Sequence, residues 1–281
     1  MARNFILDRT ANESSNVTVV NELTNPVKIN HHAIDIARGL VPGHRIVHKF
    51  GFGEVGTTPS AISPIGSFNT PLAATELEFV SDDTDDDVGG TGATKIVIQG
   101  LDASWEEVTQ EIETNGTTAV PIPIDLIRLY RWYVSESGTY AGNVTASYAG
   151  TLIIREAGAG PTWETIEGTL PFSGQSEIGV YTVPIGYTGY LLSKHIFTDT
   201  SKIADVYLMH RPFANDVTTP FTGTRRMVER DIGLTGSFNV TYAVPKGPFV
   251  GPCDIGFMGR VASSTAGISV EFELLLIEDG Y

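Results

Sequence analysis

The sequence is short of several things, and each shortage removes a class of function. It has one cysteine, Cys253, in 281 residues. No intrachain disulfide can form, and no cysteine-based zinc site exists. Flanked by apolar and turn residues in "VGPCDIG", Cys253 reads as a small, semi-buried apolar side chain. No run approaches the roughly 20 apolar residues of a membrane-spanning helix. The first twenty residues, "MARNFILDRTANESSNVTVV", hold only "FIL" as an apolar run, too little for a signal peptide. The expectation is therefore synthesis and use in a cytoplasm, or release from one by lysis. Basic residues are also few: 18 Lys and Arg against 33 Asp and Glu give a net charge of −15. That balance argues against a nucleic-acid groove and against docking on anionic lipid.

Catalytic signatures are missing as well. There is no His-Glu-x-x-His and no Gly-x-Ser-x-Gly, so neither a zinc protease nor a nucleophile elbow is indicated. The six histidines, His31, His32, His44, His48, His195 and His210, show no ligand spacing. Glu106/Glu107 and Glu271/Glu273 are pairs too common to indicate a glycosidase. In "GGTGATK" the second glycine of the motif is misplaced, and the stretch leads into a strand pattern, whereas phosphate loops open a helix. No catalytic residue, cofactor site or metal site is assigned, and the chain is not expected to be an enzyme.

The most conspicuous local feature is acidic. Asp82, Asp83, Asp85, Asp86 and Asp87 fall within six residues. An EF-hand loop needs glycine at its sixth position and glutamate at its twelfth. Counted from Asp82 those positions are Asp87 and Ala93, so the register fails. The default reading is a solvated acidic turn. A calcium ion shared between chains at Asp82–Asp87 is the alternative.

What remains is strand signal. Period-two alternation runs through "TKIVIQGLD" and "SVEFELLLIED", the latter with Glu271 and Glu273 on one face and Val270, Phe272 and Leu274 on the other. Glu106–Thr114 reads as a strand followed by a hairpin at Asn115-Gly116, the dipeptide preferred in tight turns. Turn signals recur about every 8–15 residues, and no long amphipathic helix stands out. The fold class expected is all-β: two β-sandwich or jelly-roll-like halves, residues 46–157 and 158–281, after an extended N-terminal arm over residues 1–45. The aromatics, among them Trp105, Trp132, Trp163 and Tyr130, are expected in the core or at subunit contacts. A sugar-binding platform is the rival reading.

Five stretches carry a resemblance: "ARGLVPGHRIVHKFG" (Ala37–Gly51), Gly89–Val120, "LIRLYRWYV" (Leu126–Val134), Tyr140–Thr162 and Ile178–Phe197. In this order they resemble virion proteins of tailed bacteriophages, especially marine and other environmental ones, over about half the chain. The matching motifs are turns and strand pairs. The resemblance implies a structural component of a virion, made in the host cytoplasm. Its partners would be the major capsid protein or tail and neck proteins, with self-association into a homo-oligomer such as a trimer. A head decoration or cement protein is the first expectation. A tail, neck or receptor-binding appendage is the second. A carbohydrate-active enzyme or lectin of the virion is the third, and its sign would be a cleft with two carboxylates or an aromatic platform.

Overall fold

The computed structural model describes residues 32–138, 147–169, 173–218 and 223–281. The chain divides into two units at Pro42. The described part of the first unit holds one helix, α1 (His32–Ala37). Gly39, at φ 70°, ends it in the left-handed conformation that glycine adopts without strain. The arm expected over residues 1–45 lies outside the described residues up to residue 31. From His32 onward the chain is helix, turn and then strand.

The second unit, Gly43–Tyr281, is all-β. In chain order its strands are β1 (His44–Val55), β2 (Ser60–Ala61), β3 (Leu77–Ser81), β4 (Ala93–Leu101), β5 (Glu107–Glu113), β6 (Val120–Pro121), β7 (Arg128–Ser137) and β8 (Leu152–Glu156). They continue as β9 (Thr162–Ile166), β10 (Val180–Val183), β11 (Tyr187–Thr198), β12 (Ala204–Arg211), β13 (Arg226–Leu234), β14 (Ser237–Val250), β15 (Cys253–Val261) and β16 (Ala266–Glu278). No helix among the described residues is long and apolar enough to cross a membrane.

Eight of these strands form one roll. β1 pairs with β16, β10 with β15, β11 with β14, and β12 with β13, all antiparallel. The first strand meets the last, the second the seventh, the third the sixth and the fourth the fifth. That is a long hairpin wound on itself, the eight-stranded jelly roll. It closes into two sheets, β1-β16-β11-β14 and β10-β15-β12-β13, with β2 against β15. The sequence pattern dictates which face of β16 goes inside. Ile268, Val270, Phe272, Leu274 and Leu276 are all buried, while Glu271 and Glu273 between them face out. Side chains alternate along a strand, so the apolar set fixes the register. Each of the five contributes about 1.5–3 kcal/mol on full burial.

Residues 56–179 are spliced into the roll between its first two strands. They build a smaller sandwich from β6-β3-β8-β9 and β5-β4-β7. Its separate core includes Leu77, Phe79, Ile96, Ile98, Trp132, Leu152, Ile154 and Trp163, with Phe79 and Trp132 in edge-on ring contact at 6.2 Å. β7 shows register shifts against β4, as its irregular apolar spacing implies. The Gly-rich stretch at residues 157–160 is the turn of the β8–β9 hairpin, with Gly158 and Ala159 both at positive φ.

The expected hairpin at Asn115-Gly116 is not what forms. β5 instead pairs backward with β4 through the turn at Asp102–Glu106, where Asp102 Oδ1 accepts the N–H groups of Ser104 and Glu106 at 2.8 and 3.1 Å. After Gly116 the chain crosses to the other sheet, where β6 pairs with β3. Pro121 in β6 has no N–H to donate, which suits a two-residue edge strand and not a full hairpin partner.

Candidate functional site

The aspartate run is a turn tied down by one buried carboxylate. Asp82, Asp83, Asp85 and Asp87 stay at the surface or half-buried, but Asp86 is fully buried. Its carboxylate accepts four hydrogen bonds: Ser81 Oγ at 2.6 Å, Ala93 N–H at 2.8 Å, Ala149 N–H at 2.8 Å and Gly150 N–H at 2.9 Å. Asp82 Oδ1 takes the Thr151 N–H at 2.6 Å. The loop after β3 is thereby fastened to the start of β8. A Cβ on Gly92 would sit 2.2 Å from Asp86 Oδ1, so glycine is what lets the carboxylate approach. The N–H groups of Gly90 and Gly92 bond to the carbonyls of Asp87 and Asp85 at 2.8 Å each, and so are engaged within the loop.

The other sequence candidates scatter. His31 lies outside the described residues. His44 and His48 sit on β1, His195 on β11 and His210 on β12. His210 packs edge-on against Phe249 at 5.1 Å, and burial pushes its ring below the ordinary histidine pKa. Cys253 is fully buried rather than half-buried, and burial pushes its thiol up. Among the described residues no three His, Cys, Asp or Glu side chains are grouped to hold a metal ion. Trp105, Trp132, Trp163 and Tyr130 are buried. Glu106 and Glu107 do not act as a pair. Glu107 accepts from the hydroxyls of Tyr181 at 3.0 Å and Tyr130 at 3.3 Å, and meets Arg45.

Glu107 belongs to a seam between the roll and the inserted sandwich. The centre of that seam is Arg128 on β7, with no exposed surface. Its Nε and Nη2 donate to the two oxygens of Asp254 on β15 at 2.9 and 3.1 Å. Thr182 on β10 donates to the same carboxylate at 2.8 Å, and Trp105 covers the guanidinium at 4.8 Å. A two-point fork of this kind fixes orientation as well as distance.

Lys49 and Glu164 are buried titratable groups of the same region. Lys49 Nζ donates to the Tyr130 carbonyl. Burial, helped by the Arg131 charge, pushes its ammonium down to about 7. Burial pushes Glu164 up to about 8, against the Thr165 N–H and the Lys49 charge and with the help of Glu177 and Glu167. Between its ordinary 4.5 and about 8 the folded chain keeps a proton on Glu164 that the unfolded chain has released. Its contribution therefore falls as pH rises through that window. Lys49 works oppositely: between about 7 and its ordinary 10.5 only the unfolded chain holds the proton, so stability recovers with rising pH. Glu164→Gln should melt like the native chain at pH 5 and several degrees higher at pH 8. Equal melting at both pH values would contradict this assignment.

A concave surface that combines carboxylates with aromatic rings lies on the outer face of β1-β16-β11-β14. Cross-strand register lines up its side chains in three rows. His48, Glu273, Ser193 and Thr241 form the first, and Phe50, Glu271, His195 and Asn239 the second. Phe52, Ser269, Phe197 and Ser237 form the third. A hollow of about 410 Å³ spans the first two rows. A second, of about 430 Å³, adjoins it at His48 and is lined by Lys49, Phe50, Arg131, Gln175 and Ser176. Within the face Ser193 Oγ donates to Glu273 at 3.0 Å, His195 Nε2 meets Ser237 Oγ at 3.0 Å, and His195 packs on Phe197 at 4.1 Å. Sequence reasoning flagged Glu271, Glu273 and the histidines separately. Alternation puts Glu271 and Glu273 on one face of their strand, but nothing in the spacing sets the histidines beside them, because four distant strands supply the surface.

At the opposite extreme of the roll, β13 and β14 each pair on one side only. Between Leu191↔Lys246 and Ser193↔Thr241 the β14 backbone bulges outward, leaving Val244 81% exposed. Met227, Val228 and Ile232 on β13 are exposed too. Beneath them the Lys194 ammonium binds Asp231 and Glu229, and Glu229 also takes Lys246 at 2.7 Å and the Tyr242 hydroxyl at 2.6 Å. Burial would raise Glu229, but these donors outweigh it and hold the carboxyl at about 2.

No known protein family and no curated protein matches the chain. Among solved structures it is similar to infectious bursal disease virus, Gx strain, at 12% identity and a TM-score of 0.24, covering 84% of this chain and 73% of that one. It is also similar to the VP2 subviral particle of infectious bursal disease virus, at 10% identity and a TM-score of 0.21, covering 85% and 73%. At these values the likeness carries no argument about what this chain does.

Proposed function

We propose that the chain is a structural protein of a phage virion that acts by assembly and not by catalysis. The leading form of this reading is a capsid decoration or cement protein. The observation that carries it is the pair of uncovered sheet edges, β13 and β14, with Met227, Val228, Ile232 and Val244 exposed along them. Unpaired edges are templates for another chain, and apolar side chains on them supply the association energy, about 25 cal/mol per Å² buried. The five stretches that resemble tailed-phage virion proteins support the same reading. So does the jelly roll, an architecture used by viral capsid and lectin domains, although fold alone does not assign function. A closed homo-oligomer, such as a trimer, would pair these edges between copies.

Adding the purified chain to heads stripped of it should restore it at fixed copy number and raise the melting temperature of the heads. Ile232→Lys with Val244→Lys should abolish rebinding while leaving the circular dichroism spectrum unchanged. Failure of the native chain to rebind heads removes the cement reading. Immunogold label at one pole of the particle would assign it to the tail, neck or a receptor-binding appendage instead.

A further inference from the structure

The outer face of β1-β16-β11-β14 offers a chemistry that assembly through β13 and β14 does not use. Its middle is lined with short hydrogen-bonding side chains, Glu271, Glu273, Ser193 and Asn239, and with Phe50 and Phe197 beside them. At its β1 end Arg131, an exposed guanidinium, lines the second hollow together with His48. Among the described residues His48 makes no side-chain hydrogen bond or ion pair, and Arg131 stacks on Tyr133 at 4.8 Å and faces the Lys49 charge without a carboxylate partner. Glu273 takes the Ser193 hydroxyl at 3.0 Å and Glu271 Oε2 lies 3.9 Å from His195 Nδ1, and both carboxylates remain exposed to solvent. The two hollows have volumes typical of small-molecule sites.

Each alternative occupant meets a physical objection. Nucleic acid carries a phosphate at every unit, so successive phosphates would fall against Glu271 and Glu273 in the floor. Strand addition by a peptide is hindered there, because β16 and β11 are paired on both sides and the edge of β1 is met by Glu177, whose carbonyl takes the Phe52 N–H at 3.1 Å. A second protein surface is disfavoured because the cores of such interfaces are depleted in Glu and Asp. A sugar suits the site: carboxylate and amide oxygens accept from ring hydroxyls, and phenyl rings cover the apolar faces of pyranoses. The Arg131 guanidinium at the β1 end then selects a sugar that carries one anion. We propose that this groove binds an oligosaccharide containing a carboxylate-bearing sugar. Arg131 and His48 take the carboxylate, and Glu271, Glu273 and Asn239 take the hydroxyls of the neighbouring units. The inference does not rest on the virion reading and is tested on the isolated full-length chain.

The experiment is isothermal titration of the chain with a hexose hexasaccharide that carries a single uronic acid and with the neutral hexose oligomer of the same linkage. The acidic oligomer is expected to bind at least tenfold more tightly than the neutral one. Arg131→Gln should weaken the acidic oligomer about tenfold, the loss of one charge-assisted hydrogen bond, and leave the neutral one unchanged. Glu273→Gln should weaken both. The two positions are exposed, and both variants should melt within about 2 °C of the native chain. No binding of either oligomer overturns the proposal, as does equal binding of the two. Binding that ignores both variants also overturns it, by placing the site elsewhere. Loss of an oligomer in either variant, with no sugar bound by the native chain, shows that the face is a subunit contact.

Discussion

Asp254→Ala lowers the unfolding free energy by about 3–5 kcal/mol, because it leaves a buried guanidinium without its counter-charge. Arg128 has no exposed surface, and its two forked hydrogen bonds both go to Asp254. Its remaining Nη1 bond to the Ile127 carbonyl at 2.7 Å cannot neutralise it. Arg211 Nη1, 3.9 Å from Asp254, loses its partner in the same step. The pair joins β7 of the inserted sandwich to β15 of the roll, so the loss is felt at the seam and not at an edge. Replacing both partners together, as Arg128→Met with Asp254→Leu, should recover most of the stability, since an apolar pair requires no desolvated charge. Denaturant midpoints at constant m value measure both changes. A single variant within about 1 kcal/mol of native would mean that water reaches the seam.

Asp86→Ala should cost about 4 kcal/mol, or about 10 °C in melting temperature. The reason is again an absence. Four donors converge on this carboxylate, three of them backbone N–H groups from Ala93, Ala149 and Gly150. Alanine leaves them buried without an acceptor. Asp86→Asn should fall between the two, because it keeps one oxygen and turns an NH₂ toward N–H donors. EDTA should not move the native melting temperature, since protein donors already occupy both Asp86 oxygens. If EDTA lowers the native value and leaves Asp86→Ala unchanged, the aspartates hold a cation after all.

The two residues differ in how far the sequence announces them. Asp86 stands in the most visible stretch of the chain, yet its neighbours are equally acidic and nothing local marks it as the buried one. It is buried because Gly92, further along the same loop, and Gly150, from the segment before β8, both approach its carboxylate. Arg128 sits in "LIRLYRWYV" among apolar residues, which signals burial, but its partner is 126 residues away. The uncovered edges and the polar face have the same character. Each is assembled from strands distant in the chain, and no single stretch carries its pattern.

Side-chain alternation is a local property, and so the sequence determined by itself everything that depends on it. It set the all-β character, the inward face of β16 with Glu271 and Glu273 turned out, and the positions of most strands. It also determined the lack of disulfides and the failure of the EF-hand register. Pairing between strands is decided by which apolar faces can bury one another across the whole chain. Only the tertiary structure could therefore bring β1 beside β16, turn β5 back onto β4 instead of forward across Asn115-Gly116, and insert a second sandwich into the first turn of the roll. It also drew Asp86 out of the solvent and set His48, Glu273, Ser193 and Thr241 in one row. Those outcomes are settled by long-range burial and hydrogen-bond satisfaction, which the order of residues encodes but does not display.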